Sequence, residues 1–305
     1  MQIKVIGLNH KTSSVEIREK LHFSKSFLPE ALKKLRQSAK IKEAAVLSTC
    51  NRVEIYFTSS CPREDAERVK NFFSSFHNVE RSVFEFSLYE YSEPESVSHL
   101  FKVASGIDSL VIGESQILSQ VKQAYKIASE TKTSAKILNR LFQTAFEVAK
   151  LVRAKTGINQ GVISIGSVAV ELMEKALGKI SSRKVMVLGA GEVSTLVIKH
   201  LISKGISSII VSNRSFERAR KLAQVYEGEV IRFDQYLEYI PQIDIVISST
   251  SAPHLLIKKG DILLAMEKRK SKALFLIDLA IPRDIEPDIK DIPGVFLYNI
   301  DHLKQ

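Results

Sequence analysis

The run Val185-Met186-Val187-Leu188-Gly189-Ala190-Gly191-Glu192-Val193-Ser194 restricts what this chain can fold into more than any other stretch. It reads as a buried strand that turns on glycine directly into a helix. Gly189 permits the tight turn, and Gly191 lets the main chain approach a pyrophosphate at a helix N-terminus. The third fingerprint position holds Ser194 where glycine or alanine is usual, which reshapes docking without abolishing it. Short apolar strands at 184–188, 208–212, 244–248 and 273–277 alternate with helical stretches near 192–203, 216–226 and 258–268. Such alternation makes a doubly wound parallel sheet with helices on both faces. A glycine turn alone is an ordinary strand-to-helix connection, but here it stands in the context a dinucleotide needs.

The next strand selects among dinucleotides. It ends at Asn213-Arg214-Ser215 with no Asp or Glu to hold an NAD ribose hydroxyl. Arg214 can pair with a 2′-phosphate and the serine hydroxyls can hydrogen-bond it, so NADPH is favoured over NADH. An exposed basic loop is the plainer alternative. The expected cofactor set is Gly189, Ala190, Gly191, Glu192, Val193, Ser194, Asn213, Arg214 and Ser215. Ser248–Ala252 and Asp278–Arg283 close two further strands and are read as lining, since open α/β sheets bind ligands at strand carboxyl ends.

A chain of 305 residues exceeds one ordinary core, so two domains are expected. Ahead of the glycine motif, Ile3–Leu8, Ala44–Ser48 and Val53–Phe57 are strand-like. Helices are expected over about 25–39 and 62–77, and Val83–Tyr91 alternates as a further strand. From Glu93 to about Lys155 the pattern is helical throughout. Thr156–Gly161 is the strongest breaker, and a helix over 168–177 leads into the second domain. The expected class is α/β: an N-terminal α+β catalytic domain over 1–157, then a Rossmann-type NADP-binding domain over 158–305.

Forty-four Lys and Arg against 34 Asp and Glu give +10, which suits an anionic partner such as nucleic acid or a nucleotide. The N-terminus lacks a signal-peptide pattern, and no apolar run reaches membrane-spanning length, so a cytoplasmic setting is expected. The two cysteines, Cys50 and Cys61, make no disulfide framework and no metal-ligand spacing, and no metal is expected. Cys61 lies in a turn with no expected role. Cys50 follows an apolar strand inside Thr49-Cys50-Asn51-Arg52. A buried inert thiol is the commoner fate of such a residue. A polar junction with a guanidinium nearby instead favours the thiolate.

Three segments carry a resemblance: Gly7–Thr12, Ser48-Thr49-Cys50-Asn51-Arg52-Val53-Glu54-Ile55-Tyr56, and Ser105–Leu118 with its Gly113-Glu114-Ser115-Gln116-Ile117-Leu118. With Gly189–Glu192 and Ile277–Asp284 they resemble the glutamyl-tRNA reductase family, in order, over essentially the whole chain. The resemblance implies NADPH-dependent reduction of glutamyl-tRNA to glutamate-1-semialdehyde with release of tRNA, the first step of tetrapyrrole biosynthesis from glutamate. It implies Cys50 as the nucleophile that forms a glutamyl thioester, and His99 as a residue assisting proton transfer. It implies Arg52 as the grip on the glutamate carboxylate, with Thr49, Asn51, Ser109, Glu114, Ser115, Gln116 and Gln120 contacting substrate. Read without the family, these polar residues are capping and surface groups, and His99 is a structural helix histidine.

Glutamate-1-semialdehyde aminomutase is the partner implied downstream. The family normally continues beyond Tyr298–Gln305 into a spine helix and a dimerisation domain, so this sequence is expected to stop at the head of that helix. Two rival readings are a shikimate-dehydrogenase-like NADP reductase of a small metabolite and a non-catalytic tRNA-binding or regulatory module. The first leaves the Cys50 segment without purpose. The second has no use for a reactive thiol.

Overall fold

Val5, Ile6 and Leu8 are fully buried on β1 (Gln2–Asn9), which lies inside a four-stranded antiparallel sheet. The computed structural model describes residues 1–114, 116–158, 164–270 and 272–303. The chain forms two compact units, Met1–Ile163 and Ser164–Gln305, whereas the sequence reading put the change at 157/158. Part of the breaker segment read there lies outside the described residues.

In the first unit, α1 (Val15–Lys20) and α2 (Leu28–Ala39) follow β1, and then come β2 (Ala44–Ser48), β3 (Arg52–Ser59) and α3 (Pro62–His77). β4 (Tyr89–Ser92) precedes α4 (Glu95–Ser105), α5 (Gln116–Glu130) and α6 (Lys136–Lys155). The sheet order is β2-β3-β1-β4. β3 is buried along its whole length, including the polar Arg52, Glu54, Thr58 and Ser59. A run of alternating polar residues on a fully buried strand needs partners, and finding them locates the site.

Two expectations are corrected here. Val83–Tyr91 is not one strand: Arg81–Val83 and Glu85–Ser87 are 3₁₀ turns, and only Tyr89–Ser92 pairs with β1. The pairing stops at Gly7 opposite Tyr89, so only Leu8 and Asn9 of β1 extend past it. The turn buries Phe84 and leaves Phe86 98% exposed, which no period-two reading anticipates. The helical stretch from Glu93 is also not continuous. Gly106, at φ +81°, ends α4 in the left-handed region that glycine reaches without strain, and the chain then loops to Glu114.

The second unit begins with α7 (Ile165–Leu177), three residues earlier than expected. Ser164 caps it, accepting from the Ser167 main-chain N–H at 3.1 Å. Then follow β5 (Val185–Leu188), α8 (Glu192–Ser203), β6 (Ile209–Ser212), α9 (Phe216–Val225) and β7 (Glu229–Ile231). The short α10 (Tyr236–Tyr239), β8 (Ile245–Ser248), α11 (Lys259–Lys268), β9 (Leu274–Asp278) and β10 (Val295–Asn299) complete it. All pairings are parallel in the order β10-β9-β8-β5-β6-β7, the doubly wound Rossmann arrangement. The strand order reverses at β5, so the Gly189 turn stands at the switch point. β7 and β10 are strands the sequence reading lacked.

Candidate active site

The residues around Cys50 form a tight bend between β2 and β3. The Thr49 hydroxyl accepts from the main-chain N–H groups of Asn51 and Arg52, both at 3.1 Å. Thr49 is thereby the bend's own brace, the local role its residue type suggests. Across the bend, the His10 main-chain N–H donates to the Asn51 carbonyl at 2.9 Å, and the Arg18 Nε donates to the Cys50 carbonyl at 3.1 Å. Cys50 is half-buried and outside any disulfide. The Asn51 side-chain oxygen is buried without a hydrogen-bond partner, a group that a bound donor would satisfy.

Arg52 points into the unit and is 1% exposed. One guanidinium nitrogen donates to Glu54 Oε1 at 2.6 Å; the other donates to the Asp108 carbonyl and, at 3.1 Å, to the Asp108 carboxylate. Glu54, fully buried, is the hub. It also accepts from Tyr56 at 2.6 Å, from Tyr89, and meets His99 Nε2 at 2.8 Å. Burial alone would push the Glu54 carboxyl up, but the Arg52 cation and then His99 hold it far below the usual carboxylate range. The same contacts raise Arg52, against its burial, chiefly through Glu54. Burial and the neighbouring Glu54 charge push both tyrosines well up, so they stay protonated donors.

His99 packs against the Tyr89 and Tyr91 rings and borders a cleft of about 380 Å³ with Asn9, Lys11, Thr12 and Asp108. Cys50 is not among the residues described around that cleft. The expected residues thus fall into two groups joined through Arg52: Thr49, Cys50 and Asn51 in the bend, and His99 behind Glu54. Ser109 and Glu114 are buried in the loop after α4. Burial lifts the Glu114 carboxyl to about 7, opposed by the Arg52 cation. Arg153 secures this loop by donating to the Glu114 carbonyl at 2.9 Å. Gln116 and Gln120, half-buried, stand one turn apart at the start of α5. Ser115 lies outside the described residues.

The second unit carries the dinucleotide motif. At Gly189 φ is +113°, and a Cβ would lie 2.4 Å from the Ser249 carbonyl oxygen, so only glycine fits. Gly191 caps α8, and a Cβ there would meet nothing within 4 Å. The protein's own packing does not demand glycine at 191; the open space at a helix N-terminus fits a pyrophosphate. Glu192 and Val193 open α8 beside it. Ser194 is fully buried beneath the turn, where its Oγ, without a hydrogen-bond partner, would stand 3.1 Å from a Gly189 Cβ.

Asn213 and Arg214 border an open pocket of about 500 Å³. Asn213 also braces its own turn by donating to the Ser215 carbonyl at 3.1 Å. Phe216, Arg232, Phe233 and Asp234 complete that pocket, with Arg232 Nε donating to Asp234 Oδ1 at 3.4 Å; the last three were missed in the sequence because they follow the unrecognised β7. The two loops read as lining are stapled together. Asp284 accepts from Ser248 at 2.6 Å and from the Thr250 main chain and hydroxyl at 3.0 and 2.6 Å. Asp278 accepts from the main-chain N–H groups of Ala280, Asp284 and Ile285. Burial and the neighbouring Asp284 charge push Asp278 up to about 8.

Among the described residues no cluster of metal-ligating side chains is present, and no helix is long and apolar enough to cross a membrane. A half-buried cysteine in a braced polar bend, in a chain whose Rossmann unit leaves the α8 N-terminus open at Gly191, is the equipment of an oxidoreductase with a dinucleotide fold. Residues 6–156 match the glutamyl-tRNAGlu reductase N-terminal domain, and residues 171–305 match the shikimate/quinate 5-dehydrogenase family. A glutamyl-tRNA reductase of Pelotomaculum thermopropionicum is 44% identical over 304 residues, covering 100% of this chain and 68% of the relative. That of Citrifermentans bemidjiense is 42% identical over 303 residues, covering 99% of this chain and 70% of the relative. The solved glutamyl-tRNA reductase of Methanopyrus kandleri is 36% identical with a TM-score of 0.51, covering 99% of this chain and 72% of that one. The chain belongs to the glutamyl-tRNA reductase family.

Proposed function

We propose that this chain reduces glutamyl-tRNA to glutamate-1-semialdehyde with NADPH through a thioester on Cys50. The observation that carries the reading is the braced bend that presents Cys50 beside a buried arginine, in a chain related to glutamyl-tRNA reductases over its full length. The Cys50 thiolate adds to the aminoacyl ester carbonyl, and its collapse breaks the ester bond. The tRNA 3′-oxygen leaves and takes up a proton, and a glutamyl thioester remains. Covalent capture divides a difficult reduction into two steps. When bound, NADPH supplies the hydride that takes the thioester carbonyl to the aldehyde level, after which the Cys50 thiolate departs.

The chain's own residues orient and protonate. Asn51, with its unpartnered oxygen, offers an acceptor to the substrate's ammonium group. Arg52, already paired to Glu54 and Asp108, is held rigid for a carboxylate by those partners. Ser109, Glu114, Ser115, Gln116 and Gln120 complete the substrate contacts in this reading. His99, fixed by Glu54 at one nitrogen, serves the departing oxygen from the other. Gly189–Val193 hold the pyrophosphate, and Asn213, Arg214 and Ser215 hold the 2′-phosphate of NADPH. The product is the first committed precursor for tetrapyrroles and passes to glutamate-1-semialdehyde aminomutase.

The test is NADPH oxidation dependent on glutamyl-tRNA, followed by absorbance. Cys50→Ser should abolish it and Cys61→Ser should leave it unchanged. A Cys50→Ser protein that turns over normally sinks the reading. A folded parent that binds tRNA without turnover, and ignores thiol alkylation, makes the chain a tRNA-binding module.

A further inference from the structure

The segment between β1 and α2 is unused by the mechanism above, yet it contacts the cysteine bend at successive points. His10 donates to the Asn51 carbonyl, and the Phe23 main-chain N–H donates to the Ser48 hydroxyl at 3.0 Å. Between these lies Arg18, on α1 and 0% exposed. Its Nε donates to the Cys50 carbonyl at 3.1 Å, and its Nη1 donates to the Ser13 carbonyl at 2.8 Å. A fully buried guanidinium is costly to retain, and here two main-chain carbonyls from separate loops help to satisfy it.

We propose that Arg18 is a positioning residue for the nucleophile: it locks the Cys50 main chain to the turn after β1 and sets a permanent cation beside the thiol. Two consequences follow from the geometry. The forked guanidinium fixes the Cys50 backbone, hence the direction from which the sulfur meets an ester carbonyl. A cation bound to the cysteine's own carbonyl also favours the thiolate over the thiol. The field of Arg18 reaches this bend independently of Cys50. The His10 imidazole, 94% buried across the bend, is held down to about 4 first by burial and then by Arg52, Lys11 and Arg18. His10 accordingly stays uncharged near neutral pH and adds no competing cation there.

This inference rests on Cys50 being the nucleophile, so the experiment separates the two. In a Cys61→Ser background, the alkylation rate of Cys50 by iodoacetamide is measured against pH for the parent, Arg18→Lys and Arg18→Met. The same proteins are given labelled glutamyl-tRNA in single turnover. Arg18→Met should raise the pH midpoint of alkylation by about one unit. It should slow glutamyl transfer by about tenfold or more, with NADPH affinity unchanged. Arg18→Lys keeps the charge without the fork, so it should retain the midpoint and still transfer slowly. Added guanidinium should restore part of the Arg18→Met rate. Parental midpoint and parental transfer in a folded Arg18→Met protein overturn the proposal. If that variant does not fold, parental transfer by Arg18→Lys overturns it. A parent that alkylates normally but takes up no glutamyl label defeats the function reading instead, while the alkylation profiles still decide whether Arg18 governs the thiol.

Discussion

Replacing Glu114 by glutamine isolates the electrostatics of the loop after α4. Burial lifts this carboxyl from 4.5 to about 7, and the Arg52 cation only partly opposes it. The unfolded chain therefore releases the proton first. Between the two values the native state binds more protons than the unfolded one, so this group's contribution to stability falls as pH rises. The full displacement corresponds to roughly 3 kcal/mol. Because a little of the titration lies below about pH 5, roughly 2–3 kcal/mol should appear between about pH 5 and pH 8. Glutamine keeps the shape and removes the titration. Urea unfolding, read by hydrogen exchange in β3 and α4 so that the first unit alone reports, gives stability against pH for both proteins. The Glu114→Gln curve should be flatter, with the variant more stable than the parent at about pH 8 by that amount. Parallel curves, or a variant less stable at alkaline pH, would mean that Glu114 is ionised and paired, and would refute the argument.

Other outcomes follow from the second unit. Gly189→Ala puts a Cβ 2.4 Å from a carbonyl oxygen at a φ of +113°; it should destabilise this unit by about 1–3 kcal/mol or more, measured by denaturant unfolding. Gly191→Ala meets no protein atom, so its unfolding should match the parent while its NADPH dissociation constant rises about tenfold or more; a parental constant would place the pyrophosphate elsewhere. Arg214→Ala should weaken NADPH by about tenfold or more through loss of a charge-assisted contact, with NADH unaffected in the same fluorescence titration. Equal loss for both dinucleotides would remove the 2′-phosphate assignment.

The parallel sheet was legible because buried strands and glycine turns repeat a local pattern, and β5, β6, β8 and β9 lie within a residue of where that pattern put them. β7, with three residues, and β10, which follows a proline-containing 3₁₀ turn, carry too little pattern to stand out. Cys50, Asn51 and Arg52 were legible as a polar junction. The buried network was not. Glu54 reads as one polar residue in an apolar strand, and its partners Tyr89 and His99 come from β4 and α4, 35 and 45 residues along the chain. Such contacts exist only once β4 pairs with β1 and α4 packs beneath. The surroundings of Ser194 were hidden for a similar reason: its position in the fingerprint is local, but its burial under the Gly189 turn is tertiary. Arg18 shows no sequence signal beyond being a basic residue in a short helix; only the fold carries it to the Cys50 carbonyl.

The most direct test of the account is a rapid-quench experiment with glutamyl-tRNA labelled in the glutamate, first without NADPH and then with it. The account predicts label on the peptide containing Cys50, none on Cys50→Ser, and release of that label as an aldehyde when NADPH is added. Aldehyde formed with no label ever passing through Cys50, or by Cys50→Ser at the parental rate, would contradict the covalent route.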